Sequence, residues 1–547
     1  MLERGLTWYE WQELYPSKLG SPLTIAAAEL ATHNHFVLNR GGKVFNRSAP
    51  VIKLSDRATE DSYLRLLGLL NSSVACYWLR QVSHPKSGSG VGRGVQDEPW
   101  ENRYVFTSTT LEHFPLSEWS PLDRARRLDG LAQQLKKVVP SAACYRVPTA
   151  GSLDATHERW SAIRSEMIAV QEELDWEVYR LYGLLDEDLT YPGDDLPALA
   201  LGERAFEVVL ARKVAAGEEE TSWFERHGST PRTGLPDHWP AGYRELVARR
   251  IELIMERPDL ALIERPECKR RWVTKTWAEQ EREALRDWLL DRLEAPLLWA
   301  DPQGRPQPQS VSQLADRVQR DPDLLAVLEL FTGRPDYHLA GELGRLLADQ
   351  AVPYLAAYRY SESGLRKRAA WEEVWALQRR EDAGEDVGPI PVPPKYTSAD
   401  LAKSTYWHHR GKLDVPKERF IAYSGAERDT DPAPVYGWAG WDHLQQARAL
   451  ATLVGHRANH DGWQGERLVP LLAGLAELEP WLRQWHDEPD PEYGGSPAAY
   501  ISTFLSQRLA EVERTREELA AWRPAPPRRG RAARRGAAAG TEGMLLP

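Results

Sequence analysis

The stretch TEDSYLRLLGLLNSSVACYWLRQV, Thr59–Val82, decides how the first part of the chain is read. Tyr63, Leu66, Leu67, Leu70, Val74 and Tyr77 recur at helical spacing, which predicts one amphipathic helix with these side chains facing a core. Thr59 or Asp61 can cap its start. Upstream, NHFVLNRGGKVFNRSAPVIKL (34–54) holds two short apolar runs around Gly41-Gly42, a hairpin signal. Downstream, NRYVFTSTTLEHFPL (102–116) supplies another strand, stopped by Pro115.

Beyond Pro115 the pattern turns helical. A long amphipathic helix is expected from about His157 to Gly183, pairing as a hairpin with 121–139. Further helices are expected over 241–257, 277–294, 311–331, 363–381, 441–456 and 465–487. The polar, proline-rich EDAGEDVGPIPVPPKYT (381–397) marks a join. The expected fold class is α+β: a mixed α/β target-recognition domain at 1–120, then mostly helical modules. These are a connector at 121–200, a module at 201–385 and a C-terminal module at 395–522. The segment 523–547 carries six arginines against Glu542 alone and reads as a disordered basic tail.

The 547 residues, 42% hydrophobic and 27% charged, suit a folded chain, and no apolar run is long enough for a membrane span. Three scattered cysteines (Cys76, Cys144 and Cys268) and a start with no secretory pattern point to a reducing cytoplasm. The net charge of −11 excludes a protein coated in basic surface but not a local basic footprint.

Catalytic motifs are weak throughout. Gly88, Gly90, Gly92 and Gly94 fit neither the dinucleotide fingerprint nor a P-loop, and a helix enters where a strand is needed. Asp259, Glu267 and Lys269 match the loose P-D…E-x-K pattern of Mg²⁺ nucleases, which requires adjacent strands; two proline breaks argue for a helical junction instead. His456 and His460, with Asp461 beside them, have metal-ligand spacing but lack the glutamate of H-E-x-x-H, and His408-His409 is a similarly weak signal. There is no nucleophile elbow. No catalytic residue and no metal ligand is expected in this chain. Two stretches mix cations with aromatics, as phosphate contact plus base stacking requires. The first places Arg265, Lys269, Arg270, Arg271 and Lys275 beside Trp272 and Trp277; the second places Arg359, Arg366, Lys367 and Arg368 beside Tyr358, Tyr360 and Trp371. Each alone equally suits a solvated helix face.

The chain resembles the target-recognition region of gamma-class adenine-specific DNA methyltransferases, in NHFVLNRGG, in LLGLLNSS (66–73) and in the strand ending FPL (114–116). Within that class it looks like the C-terminal portion of the PglX-type methyltransferases of BREX phage-defence systems. QEELDWEVYRLYGL (171–184), RPECKRRWVTKTW (265–277) and especially RGKLDVPKERFI (410–421) carry that likeness. Such enzymes hold a flipped adenine with an N/D-P-P-Y/F loop and bind S-adenosyl-L-methionine at a glycine-rich turn. Neither is present, and Asp490-Pro491-Glu492-Tyr493 only imitates the loop.

The resemblance therefore implies sequence-specific recognition of duplex DNA for an adenine N6-methyltransferase. The cofactor would belong to the full-length family, and this chain would be inactive alone. Expected DNA contacts are Asn71, Ser72, Ser73, Gln81, Ser83, His84, Lys86 and Arg93, with Lys269, Arg270, Arg271, Lys275, Arg366, Lys367 and Arg368 as phosphate contacts. Expected partners are a separate methyltransferase half or other BREX components, with no membrane. The rival readings are the Mg²⁺ nuclease and a non-catalytic interaction scaffold.

Overall fold

The apolar face between Tyr63 and Tyr77 is carried by two helices, not one. Helix α1 (Glu60–Leu70) begins at Thr59, whose side chain accepts from the Ser62 N–H, and ends at Asn71. Helix α2 (Ser73–Val82) begins at Ser72, whose hydroxyl accepts from the Ala75 N–H. Serine competes with the helical ladder for backbone hydrogen bonds, so Asn71-Ser72 closes one helix and opens the next. The break lets Leu69 and Leu70 reach the core alongside Leu64 and Leu67, with Ala75 and Leu79 following from α2.

The computed structural model describes residues 7–9, 22–43, 45, 48–86, 98–193, 195–272, 274–410 and 418–525. The chain divides into two units, one of residues 11–288 with 326–333, the other of 1–10, 289–325 and 334–547. About 55% is helical with small sheets, which is the α+β class. Among the described residues no helix is long and apolar enough to cross a membrane. The expected disordered tail lies outside the described residues from 526 onward.

In the first unit, β1 (Thr24–Ala27) is the centre of an antiparallel sheet in the order β3-β1-β4. Strand β3 (Phe36–Asn39) and strand β4 (Val51–Ile52) each pair with β1, not with each other, so among the described residues the expected 34–54 hairpin does not form. Gly41 and Gly42, at φ of 86° and 74°, turn the chain out of β3 in a conformation open to glycine. A second sheet in the order β2-β6-β5 joins β2 (Leu30–Ala31), β5 (His84–Pro85) and β6 (Tyr104–Val105).

Helix α3 (Leu122–Leu135) packs along α4 (Ala150–Leu181) and against α1, where Gly68 admits Pro121 and Ala125; a Cβ at Gly68 would meet both at 3.0 Å. Between Ile168 and Tyr179 every residue of helix α4 except Glu177 is buried. Its Leu174 and Val178 complete the core of α1, α2 and the first sheet. Its Ile168, Trp176 and Tyr179 belong to a second core with α5 (Ala205–Ala215), α6 (Ala241–Glu256) and the short α7 (Pro258–Ile263). The turn α8 (Pro266–Lys269) follows and packs on α2.

The other unit holds a mixed sheet in the order β7-β10-β9-β8, formed by β7 (Gln309–Ser310), β8 (Ala351–Pro353), β9 (Phe420–Ala422) and β10 (Val435–Trp438); only β8 and β9 run parallel. Helix α9 (Glu362–Asp382) packs on the turn at Ser398–Asp400, and helices α10 (His443–Asn459), α11 (Val469–Trp485) and α12 (Pro497–Val512) pack on one another. The helix expected over 311–331 is interrupted at Pro322, which starts a new one.

Asn71 ties the α1 end to β3: its Oδ1 accepts the Phe36 N–H at 3.0 Å and its Nδ2 donates to the Phe36 carbonyl at 2.9 Å. Asn71→Ala leaves both Phe36 groups unpaired and is expected to cost about 2–3 kcal/mol, read as a lower thermal midpoint, whereas Asn39→Ala should cost under about 1 kcal/mol.

Candidate nucleic-acid interface

The break between α1 and α2 is satisfied by buried polar side chains from distant parts of the sequence. Asn34 Nδ2 donates to the carbonyls of Leu70 (2.6 Å) and Ser72 (2.9 Å). Gln171 on α4 donates to the Asn71 carbonyl at 3.1 Å. The Ser73 N–H and hydroxyl both donate to Asp175, at 2.8 and 2.7 Å. Asp175 in turn meets Lys269 Nζ at 3.1 Å, and that ammonium also contacts Glu264 at 2.6 Å and Glu172 at 3.7 Å. Tyr179 donates a short hydrogen bond to Glu264. Beside it, Arg204 pairs bidentately with Glu207 and donates to the Lys269 carbonyl at 3.0 Å. Burial works against charge on Lys269, but Asp175, Glu172 and Glu264 outweigh it and hold the ammonium protonated. Burial pushes Glu172 up to about 7, partly offset by Lys269.

This buried frame fixes a cluster of cations on its outer side. Arg80, on α2, donates to the carbonyls of Thr32 (3.1 Å) and Pro99 (3.2 Å) and lies 4.5 Å over the Tyr104 ring. Arg270 donates to the Trp100 carbonyl at 3.1 Å and stacks 4.9 Å from its ring. Arg271 reaches Asn34 Oδ1 at 3.4 Å, and its buried Nε has no partner. Among the described residues, none of these three guanidiniums has a carboxylate at salt-bridge distance. His33 stands among them; its burial, then Arg271, push it down to about 3, so it stays neutral. Exposed His84, Lys86 and Arg103 lie on the adjoining β5–β6 edge, where the Lys86 N–H donates to the Arg103 carbonyl at 2.8 Å.

The structure sorts the expected contacts. Ser72 and Ser73 are fully buried and committed to capping and to Asp175, and Asn71 is committed to Phe36. Lys269 is buried at the centre of the frame, away from any phosphate. Ser83 is buried, while Gln81, His84 and Lys86 are exposed; Arg93 and the glycines around it lie outside the described residues. Lys275 is exposed but paired with Glu283 at 2.5 Å. On α9, Lys367 pairs with Asp400 (2.5 Å) and Arg368 with Glu372 (2.8 Å) and Glu477 (3.0 Å); Arg366 is exposed. Arg270 and Arg271 are thus the two members of the expected phosphate set that join the cluster. Arg80, Arg103 and His33 were not read from the sequence, because each sits singly among apolar or neutral neighbours.

The nuclease reading fails on geometry. Asp259 opens helix α7 and pairs with Arg257 at 2.6 Å, Glu267 lies on α8, and Lys269 points into the buried frame, so no adjacent strands present them. Among the described residues no group of three or more His, Cys, Asp or Glu is placed to hold a metal. Asp461 faces Arg428 and Arg457 as well as His456, and His409 meets the Asp349 carbonyl. The residues do not fit a methyltransferase loop either: Glu492 pairs with Arg448 and Tyr493 packs edge-on against Tyr500.

Residues 167–533 match the family described as a domain of unknown function, DUF7008, and the chain belongs to it. Over 546 residues it is 49% identical to the adenine-specific methyltransferase PglX of Streptomyces coelicolor, an alignment covering 97% of this chain and 44% of that protein. The chain spans less than half the length of that relative, and the resemblance to a PglX-type portion extends across nearly all of it. No solved structure matches.

Two expectations follow from the frame. Lys269→Met strands three buried carboxylates and should cost about 3–5 kcal/mol by denaturant unfolding, against under about 1 kcal/mol for Lys275→Ala. Glu172, raised from its ordinary 4.5 to about 7, favours folding below pH 4.5 and loses that contribution as pH climbs through 7. Relative to wild type, Glu172→Gln should therefore gain thermal stability between pH 5 and 8; a constant difference across that range would contradict the assignment.

Proposed function

We propose that this chain reads duplex DNA for an adenine N6-methyltransferase of a BREX-type phage-defence system. Arg80, Arg270, Arg271 and the edge cations Lys86 and Arg103 form the phosphate-binding surface. The observation that carries the reading is the convergence of three guanidiniums with no carboxylate partner among the described residues. Arginine presents several donors in a fixed fork, and donors left over after main-chain bonding suit phosphate oxygens. Trp100 and Tyr104 hold two of the three in place by stacking. The likeness to the adenine-specific methyltransferase of Streptomyces coelicolor supports methyl transfer to adenine as the wider activity.

The methyl group would come from S-adenosyl-L-methionine bound on a catalytic part that these residues do not include. The adenine must leave the stack to react, so the reader's part is to fix register on the backbone beside it. Gln81 and His84, exposed at the end of α2 and on β5, are the base-edge candidates next to this surface. By itself the chain is expected to transfer no methyl group.

The test is duplex binding by the full chain across a salt series. Arg80→Gln and Arg270→Gln should each weaken binding and lower the salt slope by about 1, while Lys275→Gln and Lys367→Gln, already ion-paired, leave it unchanged. Variants that bind like wild type would assign any affinity to the basic tail. Absence of binding at low salt would favour an interaction scaffold.

A further inference from the structure

Between β2 and β3 the chain runs Thr32-His33-Asn34-His35, and alternate residues of this stretch do different work. Asn34 is almost fully buried and donates to the carbonyls of Leu70 and Ser72, which anchors the segment at the break between α1 and α2. Phe36 follows it into the core. Successive side chains of an extended chain take opposite sides, and His35 and Val37 are exposed where Asn34 and Phe36 are buried. The His33 and His35 rings lie 6.2 Å apart with their planes inclined by 66°. Their main chain is held by the cation cluster. Arg80 donates to the Thr32 carbonyl at 3.1 Å, and Arg271 reaches Asn34 at its carbonyl (3.5 Å) and at Oδ1 (3.4 Å). His33 therefore sits between two residues that guanidiniums grip. Thr32 Oγ1 and His33 Nδ1 are 2.9 Å apart, a contact that engages Nδ1 and leaves Nε2 for a ligand.

We propose that His33 and His35 are base-reading residues of this surface, donating to the acceptor edge of guanines in the major groove of duplex DNA. The assignment rests on the DNA-reading function proposed above and names the chemistry it reads. The flanking guanidiniums suit phosphate oxygens, whereas an uncharged imidazole offers one N–H donor and one bare nitrogen, the complement of a base edge. Both rings are uncharged at pH 8, since an ordinary imidazole loses its proton near about 6.5. Burial, then the Arg271 charge, hold His33 lower still, at about 3. In the major groove guanine presents two adjacent acceptors, N7 and O6, whereas adenine sets an amino donor beside its N7. A lone N–H donor therefore favours guanine. Successive bases of one strand are about 3.4 Å apart along the axis. Rings 6.2 Å apart thus address two positions of a site and not one.

The test is selection of duplexes from a random pool by the full chain, followed by affinity for the selected and for random duplex at pH 8 across a salt series. The wild type should select a motif in which two positions prefer guanine. His33→Ala and His35→Ala should each flatten one of them and weaken binding of the selected duplex about fivefold to tenfold. Affinity for random duplex and the salt slope should stay as in the wild type. Arg80→Gln differs, lowering affinity for both duplexes and the slope by about 1. His35 is exposed, so His35→Ala decides the question if His33→Ala does not fold. Histidine variants that keep the full motif, or that weaken both duplexes alike, overturn base reading by these rings. A motif that only Gln81→Ala or His84→Ala alters overturns it as well. Binding with no motif at all overturns it and leaves the phosphate surface standing. Absence of binding sinks the proposed function itself, and the base reading with it.

Discussion

The ammonium of Lys269 is the contact on which the first unit depends. It sits among Asp175, Glu172 and Glu264, each drawn from water at a cost of several kcal/mol, and attraction in a low dielectric repays this only when the remaining lone pairs find donors. Here Ser73 and Gln171 donate to Asp175 and Tyr179 donates to one oxygen of Glu264, while the other buried Glu264 oxygen has no partner. Three carboxylates around one ammonium still leave excess negative charge. The rise of Glu172 relieves part of it, and Arg271, whose charge acts on Asp175 and Glu172, relieves more. The frame and the outer cations therefore share one electrostatic balance.

That balance connects elements far apart in sequence. Ser73 reports the position of α2, Asp175 that of α4, and Lys269 that of α8. A hydrophobic core alone tolerates small slides between helices, whereas a hydrogen-bonded charge cluster penalises them. Arg80 lies seven residues after Ser73, and Arg270 and Arg271 follow Lys269 directly. The groups assigned to phosphate are thus held at fixed separation by the interior, which suits recognition of a backbone with regular spacing.

The sequence made some of this legible. The apolar face from Tyr63 to Val74, the long helix ending near Leu181 and the α+β class follow from periodicity, which reports burial. The break at Asn71-Ser72 carried a signal too, since serine followed by an apolar turn is an N-cap pattern, yet leucine spacing continues across it and hides the change of axis. Strand β1, Thr24–Ala27, is only four residues with no alternation, so the sheet centre was invisible and its two neighbours looked like a hairpin. The site was less legible. Lys269, Arg270 and Arg271 are adjacent and chemically alike, but one serves the interior and two the outer cluster, a division that only tertiary placement makes. Asn71, Ser72 and Ser73 look like base readers because short polar side chains serve backbone capping and base edges equally well.

Hydrogen exchange of the full chain with and without random-sequence duplex at low salt tests the central claim most directly. The account predicts new protection at 80–86, 98–104 and 270–272, with the interior segment 171–179 strongly protected whether or not DNA is present. Protection confined to 334–522, or fast exchange of 171–179 in the free chain, would contradict it.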